Sequence, residues 1–98
     1  MRFVILDATE VTVETAELEH IGVDVTCCSS AKRDGSDIPD EALEADVIGV
    51  WHTVRIDGAM VARFGSAVRL LVRFGVGYDN VDLEACAKMG IRVCNCPN

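Results

Sequence analysis

Short apolar runs alternate with mixed polar segments along the chain, and this alternation predicts a series of strands and helices. The apolar runs predict strands over residues 3–6, 23–27, 46–51, 68–74 and 91–96. The segments between them carry apolar residues among acids, an aspartate or proline at the start, or a glycine at the end. These segments predict helices over residues 12–20, 39–43, 57–64 and 82–89, with a polar loop at 29–36.

Strand and helix therefore alternate strictly, which predicts an α/β fold. Apolar strands joined by short amphipathic helices indicate a parallel sheet that is covered on both faces. Right-handed crossovers make such a sheet doubly wound, and its commonest five-stranded order is 2-1-3-4-5, the flavodoxin-like arrangement. The 98 residues fit one domain, 1–98.

The same topology predicts where a ligand binds. In open parallel sheets ligands lie beyond the carboxyl ends of the strands, near the point where the strand order reverses. The loops that follow strands one, three and four, at residues 7–9, 51–53 and 75–77, are therefore expected to converge.

Composition excludes several classes of partner. The net charge of −7 is spread along the chain, so nucleic acid and anionic membranes are poor partners. No apolar run approaches the roughly 20 residues of a membrane span. Five cysteines without a secretory signal indicate reduced thiols in the cytoplasm. No cysteine pair has a metal-binding spacing, nor do His20 and His52, so no metal site is predicted.

Gly75-x-Gly77, at the end of the fourth strand, is the first candidate binding element. Glycines let a backbone approach a ligand closely, so the N–H groups of Val76 and Gly77 can hold a small carboxylate. A plain glycine turn is the alternative. A dinucleotide fingerprint is disfavoured because Asn80 stands where it needs a third glycine, and because the next helix begins later, near Asp82.

Arg73 and His52 are the other candidates. A charged residue in a covered sheet must reach the rim or a partner, and Arg73 at the carboxyl end of its strand can pair with a substrate carboxylate. The alternative is a surface arginine paired with a nearby acid. His52 can touch a ligand oxygen, or it can simply satisfy loop backbone. Asp79 and Asn80 are interpreted as turn residues, with Asp82 or Asn80 capping the next helix.

A long motif closes the chain. Residues 73–86, Arg-Phe-Gly-Val-Gly-Tyr-Asp-Asn-Val-Asp-Leu-Glu-Ala-Cys, with Gly-Ile-x-Val-x-Asn-x-Pro at 90–97, resemble the D-isomer-specific 2-hydroxyacid dehydrogenases. Trp-His-Thr at 51–53 and Val-Arg-x-Gly-x-Gly at 72–77 resemble the C-terminal-binding-protein corepressor branch of that family.

The resemblance implies a flavodoxin-like substrate domain followed by a Rossmann domain that binds NAD or NADP, and it covers only the first. It places the substrate carboxylate at Val76 and Gly77, beside Gly75, with Arg73 and His52 near the substrate as in the corepressor branch. The family's catalytic residues and nucleotide fingerprint come later in the chain, so residues 1–98 are expected to contain no catalytic or cofactor-binding residue.

The resemblance therefore predicts an enzyme fragment that binds a small 2-hydroxy or 2-keto acid weakly and does not turn it over. The family's closing helix is also absent, so an exposed apolar face should favour self-association or a partner domain. Two alternatives belong to other classes. One is a non-enzymatic, corepressor-like interaction module. The other is a phosphorelay receiver, which is disfavoured because Trp51 and His52 stand where it needs an acid.

Overall fold

The computed structural model describes residues 1–8, 20–75 and 77–96. A five-stranded parallel sheet forms its centre. Its order is β2-β1-β3-β4-β5, and every neighbouring pair is parallel. The strands are Arg2–Ile5 (β1), Asp24–Cys27 (β2), Val47–Val50 (β3), Leu70–Phe74 (β4) and Arg92–Cys96 (β5). The predicted order and fold class are thereby confirmed.

Helices connect the strands. Within residues 1–8, 20–75 and 77–96 they are a 3-10 helix, Asp40–Leu43, and two α-helices, Gly58–Arg63 (α1) and Leu83–Lys88 (α2). Carboxylates of Asp57 and Asp82 cap the two α-helices, each accepting a backbone N–H at 3.0 Å, from Met60 and Ala85 respectively. The helix predicted over 12–20 lies outside the described residues except for its last one. No helix within the described residues is long and apolar enough to cross a membrane.

Side chains alternate between the two faces of the sheet, and each face carries a cluster of buried residues. On β1, Val4 faces one cluster, while Phe3 and Ile5 face the other. The larger cluster includes buried residues of the 3-10 helix, α1 and α2, so the described helices pack on this face. On β4, Leu71 belongs to the larger cluster, and alternation places Arg73 on the same face.

Aromatic rings dominate the other face near the ends of β3 and β4. The ring of Phe74 stacks on Phe3, with centroids 6.3 Å apart, and on Trp51, with centroids 5.0 Å apart. Gly49 makes room for them, because a Cβ there would lie 2.7 Å from the Phe3 ring and 2.8 Å from the Phe74 ring. Phe74 and Arg73 therefore extend to opposite faces, as the strand alternation predicts.

Candidate functional site

Asp7 organises the carboxyl edge of the sheet. Its side chain follows β1 and accepts three backbone N–H groups of the loop after β3, from Trp51 (2.7 Å), Thr53 (2.9 Å) and Val54 (3.2 Å). These bonds satisfy donors that the strand ladder leaves unpaired. The loops after β1 and β3 therefore meet, as the topology predicts, although Thr9 lies outside the described residues.

Arg73 connects the end of β4 to the same loop. Its side chain is only 8% exposed, and its Nε–H donates to Oδ1 of Asn80 at 2.8 Å. One Nη1–H group donates to the carbonyl oxygen of Phe74. The Nδ2 group of Asn80 then donates to the carbonyl oxygens of Trp51 (2.9 Å) and Val54 (2.7 Å). The loop after β4 thus joins the loop after β3 through the buried amide of Asn80.

The Arg73 guanidinium has neutral partners. Within the described ranges, the ion pairs are Arg63 with Asp40 and Lys88 with Glu84, and neither involves Arg73. The alternative of a surface arginine paired with a nearby acid is therefore wrong, since Arg73 is buried and bonded to amide and carbonyl oxygens. Burying a cation without a counter-charge is costly, so this arrangement favours an added anion.

Two glycines adjoin Arg73 in conformations that other residues rarely adopt. Gly75 has φ +108° and Gly77 has φ +87°, both in the left-handed region. A Cβ at position 75 would lie 2.8 Å from Nη1 of Arg73, so a side chain there would displace the guanidinium. The backbone at 75 is thus kept bare beside a buried cation, whereas a Cβ at 77 would meet only Oδ1 of Asp79, at 3.8 Å. Val76 lies outside the described residues, and its predicted role remains a prediction.

His52 sits in the loop that Asp7 and Asn80 hold. The N–H of the preceding Trp51 donates to Asp7, and its carbonyl accepts from Asn80, so the backbone at this point is fixed from both sides. The His52 side chain itself is exposed. The N–H groups of Trp51, Thr53 and Val54 already bond to Asp7, and the carbonyls of Trp51 and Val54 already bond to Asn80. These backbone groups therefore do not need the His52 side chain as a partner.

Asn80 and Asp7 are the functional residues that sequence reasoning missed. The predicted turn at Asp79 and Asn80 and the predicted cap Asp82 are confirmed. What was missed is the Asn80 side chain, which is 4% exposed and bonded to Arg73, Trp51 and Val54. Asp7 was expected in the converging loop at 7–9, but without its three bonds to the loop after β3. A usable signal existed in both cases, because a polar side chain at the carboxyl edge of a parallel sheet can reach neighbouring strand ends.

Two further grooves are present in the described part of the chain. One, of about 250 Å³, adjoins the cluster at Asn80 and is lined by Asp57, Asp79 and Asp82 against the single cation Arg55, so excess negative charge disfavours an anionic ligand there. The other, of about 420 Å³, lies between α1 and α2 and contains none of the predicted site residues. Neither groove includes Arg73 in its lining.

The described residues do not fit a dinucleotide. The fingerprint needs a third glycine three residues after Gly77, where Asn80 has a buried and bonded side chain. The carboxylate of Asp82 caps the N-terminus of the following helix, α2. It therefore occupies the position where a pyrophosphate would bind. No nicotinamide chemistry is therefore assigned to these residues.

Comparison with known proteins identifies the family. A family model described as "D-isomer specific 2-hydroxyacid dehydrogenase, catalytic domain" matches residues 3–98. The chain is 26% identical over 94 residues to C-terminal-binding protein 1 of Caenorhabditis elegans, covering 95% of this chain and 12% of that protein. It is 35% identical over 57 residues to a glyoxylate reductase of Aeropyrum pernix, covering 58% of this chain and 17% of that protein.

Solved structures show the same fold. An NAD+-bound 3-phosphoglycerate dehydrogenase of Entamoeba histolytica matches with a TM-score of 0.77 and 29% identity, covering 97% of this chain and 32% of that one. The apo D-lactate dehydrogenase of Escherichia coli matches with a TM-score of 0.79 and 14% identity, covering all of this chain and 31% of that one, which supports the fold alone. The chain thus spans a third or less of the length of these relatives.

Proposed function

The chain belongs to the D-isomer-specific 2-hydroxyacid dehydrogenase family, and from this premise we propose that it is the substrate-binding half of an NAD(P)-dependent oxidoreductase. The proposed substrates are small D-2-hydroxy acids, oxidised at the CH–OH group, or the corresponding 2-keto acids. The observation that carries the proposal is the buried Arg73, whose guanidinium is bonded only to neutral oxygens within the described ranges.

A small carboxylate suits this position physically. A guanidinium binds a carboxylate with two parallel hydrogen bonds, and such charge-assisted bonds are about twice as strong as neutral ones. The bare backbone at Gly75 lies against the cation, and Gly77, two residues on, also lacks a side chain. We assign the second set of carboxylate contacts to the N–H groups of Val76 and Gly77. His52, exposed in the adjoining loop, is assigned a contact to a ligand oxygen.

The 98-residue chain itself is proposed to bind without turning over. Hydride transfer needs a nicotinamide, a proton donor and a group that polarises the carbonyl. Arg73 and the glycine backbone supply a carboxylate site only, and the described residues do not fit a dinucleotide. We therefore propose that NAD or NADP binds a separate domain in the complete enzyme and that residues 1–98 position the acid.

The corepressor-like interaction module is the less favoured function. The similarity to C-terminal-binding protein 1 suggests it, but a peptide-binding role gives no reason for a buried cation beside Gly75, a glycine with positive φ. The two functions also differ in what they require. Acid binding depends on Arg73 and Gly77, whereas peptide binding elsewhere on the domain does not.

Titration of the ¹⁵N-labelled chain with pyruvate, followed by NMR, tests the proposal. We expect weak binding, in the millimolar range, which corresponds to about −4 kcal/mol. Gly77→Ala should abolish it, because a side chain at φ +87° strains the backbone whose N–H is assigned to the carboxylate. Gly22→Ala is the matched control, since Gly22 has nearly the same φ, +90°, and a Cβ there would meet nothing within 4 Å, whereas one at Gly77 would meet only Oδ1 of Asp79, at 3.8 Å.

Both variants carry the same backbone strain, so equal losses of folding stability are expected. Loss of pyruvate binding in Gly77→Ala together with full binding in Gly22→Ala supports the proposed site. Equal binding by both variants and the wild type, or no saturable pyruvate binding by the wild type, would refute it.

A further inference from the structure

The amide of Asn80 can adopt only one orientation. Its Oδ1 accepts from Nε of Arg73, and both hydrogens of its Nδ2 are used by the carbonyl oxygens of Trp51 and Val54. Rotating the amide by half a turn would set a donor against the Arg73 donor and an acceptor against two carbonyls. The side chain is 4% exposed, so water cannot readily replace these partners.

A carboxylate at position 80 would suit Arg73 better but would not suit the rest of the site. It would form a charge-assisted bond with the guanidinium while placing negative oxygens against the carbonyls of Trp51 and Val54. It would also neutralise Arg73. An amide holds the guanidinium in place and leaves its charge uncompensated within the described residues.

We propose that Asn80 is a positioning residue that orients Arg73 through a neutral hydrogen bond and so reserves its positive charge for the carboxylate of the substrate. This inference deepens the proposed function and rests on it. The same amide fixes the backbone on either side of His52 through the carbonyls of Trp51 and Val54. Asn80 therefore sets the relative position of two proposed ligand contacts without touching the ligand.

Asn80→Asp tests the charge argument. The substitution keeps the size of the side chain and the acceptor for Arg73 Nε, but adds a negative charge and removes both donors. We expect the affinity for pyruvate to fall by about tenfold or more, because the new carboxylate competes with the ligand for one cation. Ser66→Asp is the matched control, since it adds the same charge at an exposed position before β4, at the opposite edge of the sheet. It should change the affinity less than about twofold.

A readout on the wild-type chain makes the test independent of how well Asn80→Asp folds. The side-chain Nε–H of Arg73 should give a resolved, slowly exchanging NMR signal, because it is buried and bonded. In Asn80→Ser, whose side chain is too short to bridge, this signal should exchange rapidly with water. A merely structural role predicts lower stability but no specific change in the binding of an anion.

The outcomes separate the two hypotheses. If the wild type does not bind pyruvate, the proposed function fails, and the positioning role fails with it. If the wild type binds and folded Asn80→Asp binds equally well, only the role of Asn80 is refuted. A rapidly exchanging Arg73 Nε–H signal in the wild type would also refute that role.

Discussion

Replacing Asp7 with alanine should destabilise the chain more than any other single carboxylate truncation at the ends of the strands. Asp7 accepts three backbone N–H groups, at 2.7, 2.9 and 3.2 Å. A hydrogen bond to a charged group contributes about 1.5–3 kcal/mol. The three do not add fully, because Trp51 and Thr53 are only half-buried and their N–H groups can reach water, whereas Val54 is buried.

We therefore expect Asp7→Ala to lower the free energy of unfolding by about 3–5 kcal/mol, out of roughly 5–15 kcal/mol for a typical domain. Asp46→Ala is the matched control. Asp46 accepts one backbone N–H, from Arg2 at 2.7 Å, at the opposite end of the sheet. Its loss should cost about 1.5–3 kcal/mol.

Urea unfolding followed by far-UV circular dichroism measures both. With a urea dependence of about 1.5 kcal/mol per molar, Asp7→Ala should lower the midpoint by about 2–3 M. Trp51 fluorescence is a second probe, since Trp51 is the chain's single tryptophan and lies in the loop that Asp7 holds. If Asp7→Ala costs no more than Asp46→Ala, the role assigned to Asp7 at this edge is wrong.

Two further predictions concern other surfaces. Hydrogen bonds from the Ser30 hydroxyl and the Ala31 N–H hold the pKa of Asp37 below its ordinary value. These bonds therefore stabilise the folded chain at pH values above the unfolded carboxyl pKa. That stabilisation is lost as the pH falls through the lower folded pKa. The stability difference between wild type and Asp37→Asn should accordingly shrink on acidification, and a difference independent of pH would contradict this. Leu83 on α2 and Met89, which follows the helix, are 47% and 59% exposed, so we expect concentration-dependent self-association in sedimentation equilibrium. Leu83→Glu with Met89→Lys should weaken it, and a wild type that stays monomeric at all concentrations would exclude it.

The fold could be predicted from the sequence because two local signals agree with it. Apolar runs mark all five strands, and Asp57 and Asp82 each stand where a helix needs a capping acceptor. Four strands are shorter than their apolar runs, while β1 has the predicted length but begins and ends one residue earlier. Leu6, just beyond β1, is fully buried and still donates its N–H to the Gly49 carbonyl at 2.9 Å.

The site could be predicted only in part. Topology alone predicts that the loops after β1, β3 and β4 converge, because the carboxyl ends of parallel strands share one edge. The burial of Arg73 and its bond to Asn80 could not be predicted in this way. They depend on which of several polar side chains at the edge reaches which partner, and local patterns carry no information about bonds from Asn80 to residues 26 and 29 positions away.

An experimental structure of the chain with bound pyruvate tests the central claim most directly. The account predicts the pyruvate carboxylate within about 2.7–3.0 Å of the Arg73 guanidinium and of the Gly77 N–H, with Asn80 still bonded to Arg73. A Gly77 N–H that is already bonded within the fold, or a carboxylate bound away from Arg73, would contradict it.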